Sequence, residues 1–160
     1  MRLRYLLDTN ICIYIAKNRP EGVLARFKRL RPGEIAMSAI TYGELSYGAC
    51  KSRHRDETRK NLRELASMIP VLAIGGEVGE RYGEIRAELE KAGRVIGNND
   101  LWIASHALAL GVPLVTNNER EFARVPGLAV QNWIRKSNPP QVHEKASRYG
   151  RKKAPGFSRK

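Results

Sequence analysis

The sequence predicts an α/β fold, a mostly parallel sheet covered by helices on both faces. Three observations carry that prediction. Short apolar runs recur along the chain, and longer stretches with apolar residues three or four apart, the helical period, lie between them. Strands separated by helices in this way pair in parallel and need cover on both sides. The 160 residues suffice for one domain with its own core, and 42% hydrophobic with 28% charged residues is ordinary for a globular protein.

Tyr5-Leu6-Leu7 reads as the first strand, followed by a helical stretch from Asn10 to Lys17. Residues 20–31 form a second helix, with Pro20 where a first turn tolerates it. Ile35-Ala36-Met37 is the second strand, and a third helix runs from Thr41 to about Ser52. Residues 55–67 continue helical, and Val71-Leu72-Ala73-Ile74 is the third strand. Glu77 to Lys91 is amphipathic, with Val78, Tyr82, Ile85 and Leu89 on one face. Leu101 to Leu110 is an apolar helix that stops at Gly111. Pro113-Leu114-Val115-Thr116 is the fourth strand, and Ala129-Val130 starts a fifth.

From Ser137 the pattern fails. Asn138-Pro139-Pro140, scattered charges, Gly150, Pro155 and Gly156 read as a flexible basic tail without a core. The expected organisation is therefore a domain over 1–136 and a tail over 137–160. The charge follows the same division. The net charge is +13; residues 1–134 hold 20 basic and 15 acidic residues, and residues 135–160 hold 9 basic and one acidic, Glu144. Such an excess favours polyanions, because neutralising phosphates releases condensed counterions; a tail kept for solubility is the alternative. Two cysteines make no disulfide framework, and Cys12, between Ile11 and Ile13, reads as a buried, inert thiol. No secretory signal is legible, and no apolar run approaches the ~18 residues of a bilayer span, so a cytoplasmic protein without membrane contact is expected.

Chemistry is expected at the carboxyl ends of the strands, where open parallel sheets bind ligands. Asp8 directly follows the first strand, where Asp also makes a good helix N-cap. Glu44 follows the second strand, although Thr41 and Glu44 have capping-box spacing. Asp100 sits at the mouth of the most apolar helix, where Asn98 and Asn99 are competing caps. The fourth strand ends at Thr116, placed to hold a water or ligand, and Glu119 or Glu121 follows as a further carboxylate or a complement to a helix dipole. Each acid alone has a structural use. Together, several acids at strand ends would repel one another unless a cation neutralised them. An all-oxygen set suits Mg²⁺ or Mn²⁺ rather than zinc, and His54, His106 and His143 show no ligand spacing. No Ser-His-Asp arrangement, phosphate-cradling glycine loop or dinucleotide fingerprint is visible. A hard metal in a basic protein points to phosphodiester hydrolysis.

Four blocks in order, Leu7-Asp8-Thr9-Asn10, Ser38-x-x-Thr41-x-x-Glu44-Leu45, Asn99-Asp100-x-x-Ile103-Ala104 and Leu114-Val115-Thr116-Asn117-Asn118-x-x-Glu121-Phe122, resemble those of PIN-domain toxins of the VapC family over roughly residues 3–134. The resemblance implies a PIN-like three-layer fold and a Mg²⁺-dependent endoribonuclease that blocks translation and is held inactive by a cognate antitoxin, usually as a homodimer. Asp8, Glu44 and Asp100 match the family's acidic metal positions. A fourth acid is expected two residues after Thr116; this chain has Asn118 there, and Glu121 is the candidate substitute. The Thr-Asn-Asn-x-x-Glu-Phe ending is similar to that of toxins that cut initiator tRNA in its anticodon loop.

The mechanism expected from these residues has Asp8 and Asp100 holding the metal most directly and Glu44 completing the shell. Thr116 and Asn118 would hydrogen-bond the attacking water or a phosphate oxygen. Lys51, Arg53, Arg55, Arg59, Lys60 and Arg63 line an RNA path or form a solvated helix face. Two rivals stand beside this reading. A nucleic-acid-binding module with impaired catalysis would draw support from Asn118. A phosphotransferase using Asp8 as nucleophile would want a second Asp two residues on, where this chain has Asn10.

Overall fold

The computed structural model describes residues 2–134, so the segment 137–160 lies outside the described residues. Five strands form one sheet: β1 (Tyr5–Leu7), β2 (Ile35–Ser38), β3 (Val71–Leu72), β4 (Leu114–Val115) and β5 (Val130–Gln131). Their order is β3-β2-β1-β4-β5, and every pairing is parallel. The helices are α1 (Thr9–Ala16), α2 (Glu21–Lys28), α3 (Ala39–Lys51), α4 (Arg55–Met68), α5 (Gly76–Lys91), α6 (Asn98–Leu110) and the single turn α7 (Glu119–Phe122).

Successive strand residues point to opposite faces, and the two cores follow that alternation. Leu6, Ala36 and Leu114 enter one cluster with Ile85 and Leu89 of α5, Leu101, Ile103 and Ala104 of α6, and Phe122 of α7. Leu7, Ile35, Met37 and Val115 enter the other with Ile11, Cys12 and Ile15 of α1, Val23 of α2, Leu65 of α4, and Trp133. The expected sheet covered on both faces is what forms. Fully burying a large aliphatic or aromatic side chain stabilises by about 1.5–3 kcal/mol, so both layers contribute heavily.

Several expected boundaries move, each for a local reason. The third helix begins at Ala39 rather than Thr41, because the Ser38 hydroxyl accepts the Ile40 N–H and caps it. The sixth begins at Asn98 rather than Leu101, three polar residues before the apolar repeat. The third strand is cut to Val71–Leu72; its neighbour β2 ends at Ser38, which pairs with Leu72, so Ala73 and Ile74 have no ladder partner. Gly111 ends α6 as expected, with φ +67 in the left-handed region. Cys12 is fully buried, and burial pushes its thiol up, as an inert core cysteine requires.

The strand order places β1 at the centre. The chain leaves β1 toward β2 on one side and fills the other with β4, so loops diverge at the β1–β4 junction. Ligand crevices of open α/β sheets lie beyond the strand ends at such a switch point.

Candidate active site

Asp8, the first residue past β1, stands at that junction and is buried, with 5% exposure. Both of its oxygens are used. Oδ1 accepts the Thr9 N–H at 2.8 Å, the cap of α1, and Oδ2 accepts the Thr116 hydroxyl from the end of β4 at 2.7 Å. The cap and the strand-end acid are the same side chain. Burial drives the Asp8 carboxyl up, opposed by these two hydrogen bonds, and the nearby Glu121 charge adds to the rise.

Glu44 rides on the second turn of α3, and the capping-box alternative fails because Ser38 caps that helix. Its Oε1 is buried and has no hydrogen-bond partner among the described residues. Burial raises its pKa first and the Asp8 charge second, which places the two acids within electrostatic reach. Asp100 lies in the first turn of α6. Burial, then the charges of Asp8 and Glu121, a hydrogen bond with Glu121, and finally the Glu44 charge lift it to about 7. Neither Asn98 nor Asn99 caps α6; Gly97 is the cap residue, and Asn98 accepts the Tyr82 hydroxyl instead.

Glu121 joins this cluster from α7. Its Oε1 accepts the Gly97 N–H at 2.9 Å and its Oε2 the Asn118 amide at 2.8 Å. The Gly97 N–H, with help from Asn118, holds Glu121 below the usual range while Asp100 rises. The physical reason is that Glu121 has donors already aimed at both oxygens, so a proton shared by the pair resides on Asp100. Thr116 is fully buried; its hydroxyl donates to Asp8 and accepts the Asn118 N–H at 3.0 Å. That hydroxyl is committed to orienting Asp8. Glu119 points elsewhere, toward the Asn132 amide.

The structure therefore brings Asp8, Glu44, Asp100 and Glu121 together, with Thr116 and Asn118 as their supports. Two supports escaped sequence reasoning. The Gly97 N–H is a backbone donor with no side-chain signature. His106, which shows no ligand spacing, is buried in α6 with Nδ1 3.0 Å from the Ser38 hydroxyl. That bond ties the helix carrying Asp100 to the cap of the helix carrying Glu44.

The donor set fits a hard divalent cation. Among the described residues none of the four acids is salt-bridged, since the ion pairs are Arg4–Glu34, Arg81–Glu84 and Arg86–Glu90. Clustered carboxylates, a raised Asp100 and a Glu44 oxygen without a partner among the described residues are features that a divalent cation would neutralise. Among the described residues no three His, Cys, Asp or Glu side chains converge tightly enough to ligate one ion by themselves. Mg²⁺ asks for less, since it keeps several waters and binds through one or two carboxylates.

Comparison with known proteins identifies the family of the chain. The PIN domain family matches residues 5–128. Ribonuclease VapC2 of Rickettsia felis is 42% identical over 130 residues, 81% of this chain and 97% of the relative. A protein of Shigella flexneri named tRNA(fMet)-specific endonuclease VapC is 43% identical, covering 82% of this chain and 98% of its own. Among solved structures, VapBC-1 from nontypeable Haemophilus influenzae superposes with a TM-score of 0.77 at 42% identity, covering 83% of this chain and all of that one. DNA-bound VapBC from Salmonella typhimurium gives 0.78 at 40% identity, covering 82% and 98%. The fold is the PIN fold, and this chain belongs to the VapC family of PIN-domain endoribonucleases.

Proposed function

We propose that this protein is the toxin of a toxin–antitoxin pair, a Mg²⁺-dependent endoribonuclease that cuts tRNA, with the initiator tRNA anticodon loop as its preferred target. The observation that carries the reading is the cluster of four carboxylates gathered at the switch point, without a salt bridge among the described residues and with one buried oxygen that has no partner among them. Relatives named tRNA(fMet)-specific endonuclease at 43% and 40% identity support the choice of substrate. Solved toxin–antitoxin complexes of the same fold support an antitoxin partner.

In this mechanism Asp8 and Asp100 would hold the cation directly and Glu44 would complete its shell through water, with Mn²⁺ able to replace Mg²⁺. A cation held there would supply an acidified water and offset negative charge on the phosphate. Thr116 fixes the rotamer of Asp8 through its hydroxyl. Asn118 presents its amide to Glu121, so that the carboxylate reaches the cluster from one turn further along the chain. Glu121 anchors the Gly97 N–H and with it the first turn that presents Asp100. Asp8 and Thr116 are buried and the other side chains half-buried, and their hydrogen-bonded positions lower the reorganisation that hydrolysis would otherwise demand. That Glu121 supplies a carboxylate despite Asn118 supports catalysis over a binding module with impaired chemistry.

Residues 1–136 form the nuclease unit in this reading, and the basic segment 137–160 adds a polyanion contact. The protein acts in the cytoplasm as a homodimer, free or with its antitoxin. The test is incubation of purified protein with total tRNA in Mg²⁺, Mn²⁺ or EDTA, beside Asp100→Asn. Discrete fragments that require metal and vanish in the variant are expected. Intact tRNA under every condition, with binding retained, would favour the binding module instead.

A further inference from the structure

A groove of about 840 Å³ runs from Glu44, at one edge of the carboxylate cluster, along the α1, α3 and α4 helices. Thr9, Glu44 and Asn99 line it next to the cluster, and it continues past Ile13 to Lys17 on α1 and to Tyr47 on α3. Its floor is apolar, built by Ile13, Leu45, Leu62 and Leu65. Three features stand on its walls or beside them. Tyr47 is the most exposed large hydrophobic side chain among the described residues, at 65%. Lys51 sits 5.1 Å from the centre of the Tyr47 ring. Asn61 and Asn99 are exposed and make no side-chain hydrogen bond among the described residues.

We infer that this groove is a nucleobase subsite, in which Tyr47 stacks an unpaired base next to the scissile phosphodiester. The inference rests on the nuclease reading above. A base has two apolar faces and a polar edge, and the groove offers the complement: an aromatic ring, an aliphatic floor and idle amides. Aromatic platforms of this kind take single-stranded bases, whereas paired ones are already stacked. Charge agrees with the same occupant. Lys17 lines the groove, and Lys51 stands beside it over the Tyr47 ring, so both cations are near where a phosphate backbone would follow the bases, in a domain that is basic overall. Continuity decides the placement. A strand whose phosphate lies on the carboxylates has its neighbouring nucleotides within reach of a groove that opens onto them. Asn61 and Asn99 are then the residues that read the base edge, since amides pair with base donors and acceptors.

The experiment uses the full chain and a single-stranded RNA that the wild type cuts, in which nucleotides flanking the cut are made abasic one at a time. kcat/KM is measured for wild type, Tyr47→Phe and Tyr47→Ala. One abasic position should slow the wild type about tenfold, and Tyr47→Ala should slow intact RNA by about the same factor, in line with base–aromatic stacking. Combined, the two losses should not multiply at that position and should multiply at all others. Tyr47→Phe should stay within about twofold of wild type, and melting temperatures should match because Tyr47 is exposed. Asn61→Ala should alter which base is preferred there. Losses that multiply at every position, or normal cleavage by Tyr47→Ala, would overturn the subsite. Normal cleavage by Tyr47→Ala with loss of inhibition by an antitoxin peptide would assign the groove to a protein partner and likewise overturn it. A wild type that cuts no RNA in Mg²⁺ or Mn²⁺ would sink the nuclease reading and the subsite with it.

Discussion

Replacing Asp100 by Asn should make the metal-free protein more stable at alkaline pH, the reverse of what truncating a useful side chain normally does. The Asp100 carboxyl is raised from 3.8 to about 7 by burial and by the charges of Asp8 and Glu121. A carboxyl whose folded pKa lies above its unfolded one destabilises the fold once it ionises. The unfolded chain loses its proton near 3.8 and the folded chain near 7, so stability falls as pH rises through that window and stays low above it. About three pKa units correspond to roughly 4 kcal/mol at most. Asp100 is only half-buried, and solvent screening reduces this to about 2 kcal/mol. Asn removes the charge and keeps a donor for Glu121. For a domain of this size that is a rise in Tm of about 6 °C. The assay is thermal melting in EDTA at pH 8.5 and pH 4.5, with the gap shrinking to about 2 °C at the lower pH. Mg²⁺ should then stabilise the wild type at pH 8.5 and largely spare the variant. A variant that melts below wild type in EDTA at pH 8.5, or a gap indifferent to pH, would refute the electrostatic argument.

Other consequences can be checked on the same protein. Thr116→Val removes the hydroxyl that donates to Asp8 and accepts from Asn118; denaturant melts should show a loss of about 1–3 kcal/mol, and cleavage should drop with it. Phe122→Ala empties a fully buried position on α7; a cost of about 3–5 kcal/mol is expected, with Glu121 loosened, so single-turnover cleavage should fall even where the protein remains folded. Burial holds His106 below 6.5. The unfolded state therefore takes up its proton first, and stability should be lost as pH falls through 6.5, a loss that His106→Asn abolishes in melts across pH 5–8. Glu121→Gln keeps Oε1 as acceptor for Gly97 but sets an amide against the Asn118 amide; cleavage should fall well beyond any change in RNA binding, measured by filter retention.

The alternation of strands and helices was legible because buried parallel strands need apolar runs and their covering helices need a periodic face. Leu6 and Leu7 illustrate the limit of that signal: adjacent and chemically alike, they enter opposite cores, which only the pleat reveals. Boundaries were least legible where polar residues carry the backbone. The first turn of α6 is Asn98-Asn99-Asp100, without an apolar residue to mark it, and Thr41 with Glu44 mimicked a capping box that Ser38 makes unnecessary. Within the site, acids at strand ends could be picked out because the sheet's geometry gathers them. Gly97 and His106 could not, since one acts through a backbone N–H and the other through a bond to a residue 68 positions away. No periodicity encodes contacts of that kind.

The pairing of Asn118 with Glu121 bears on how such enzymes are searched for. A pattern that demands an acid at a fixed spacing after Thr116 passes over this chain. Here the Asn118 amide donates to the Glu121 carboxylate one turn further along, and that carboxylate lies beside Asp100. A carboxylate can thus reach the same pocket from a different point along the chain. Two sequences can then disagree at every position of a motif's last block and still describe one site, and the position to compare is the place in space where the oxygen arrives.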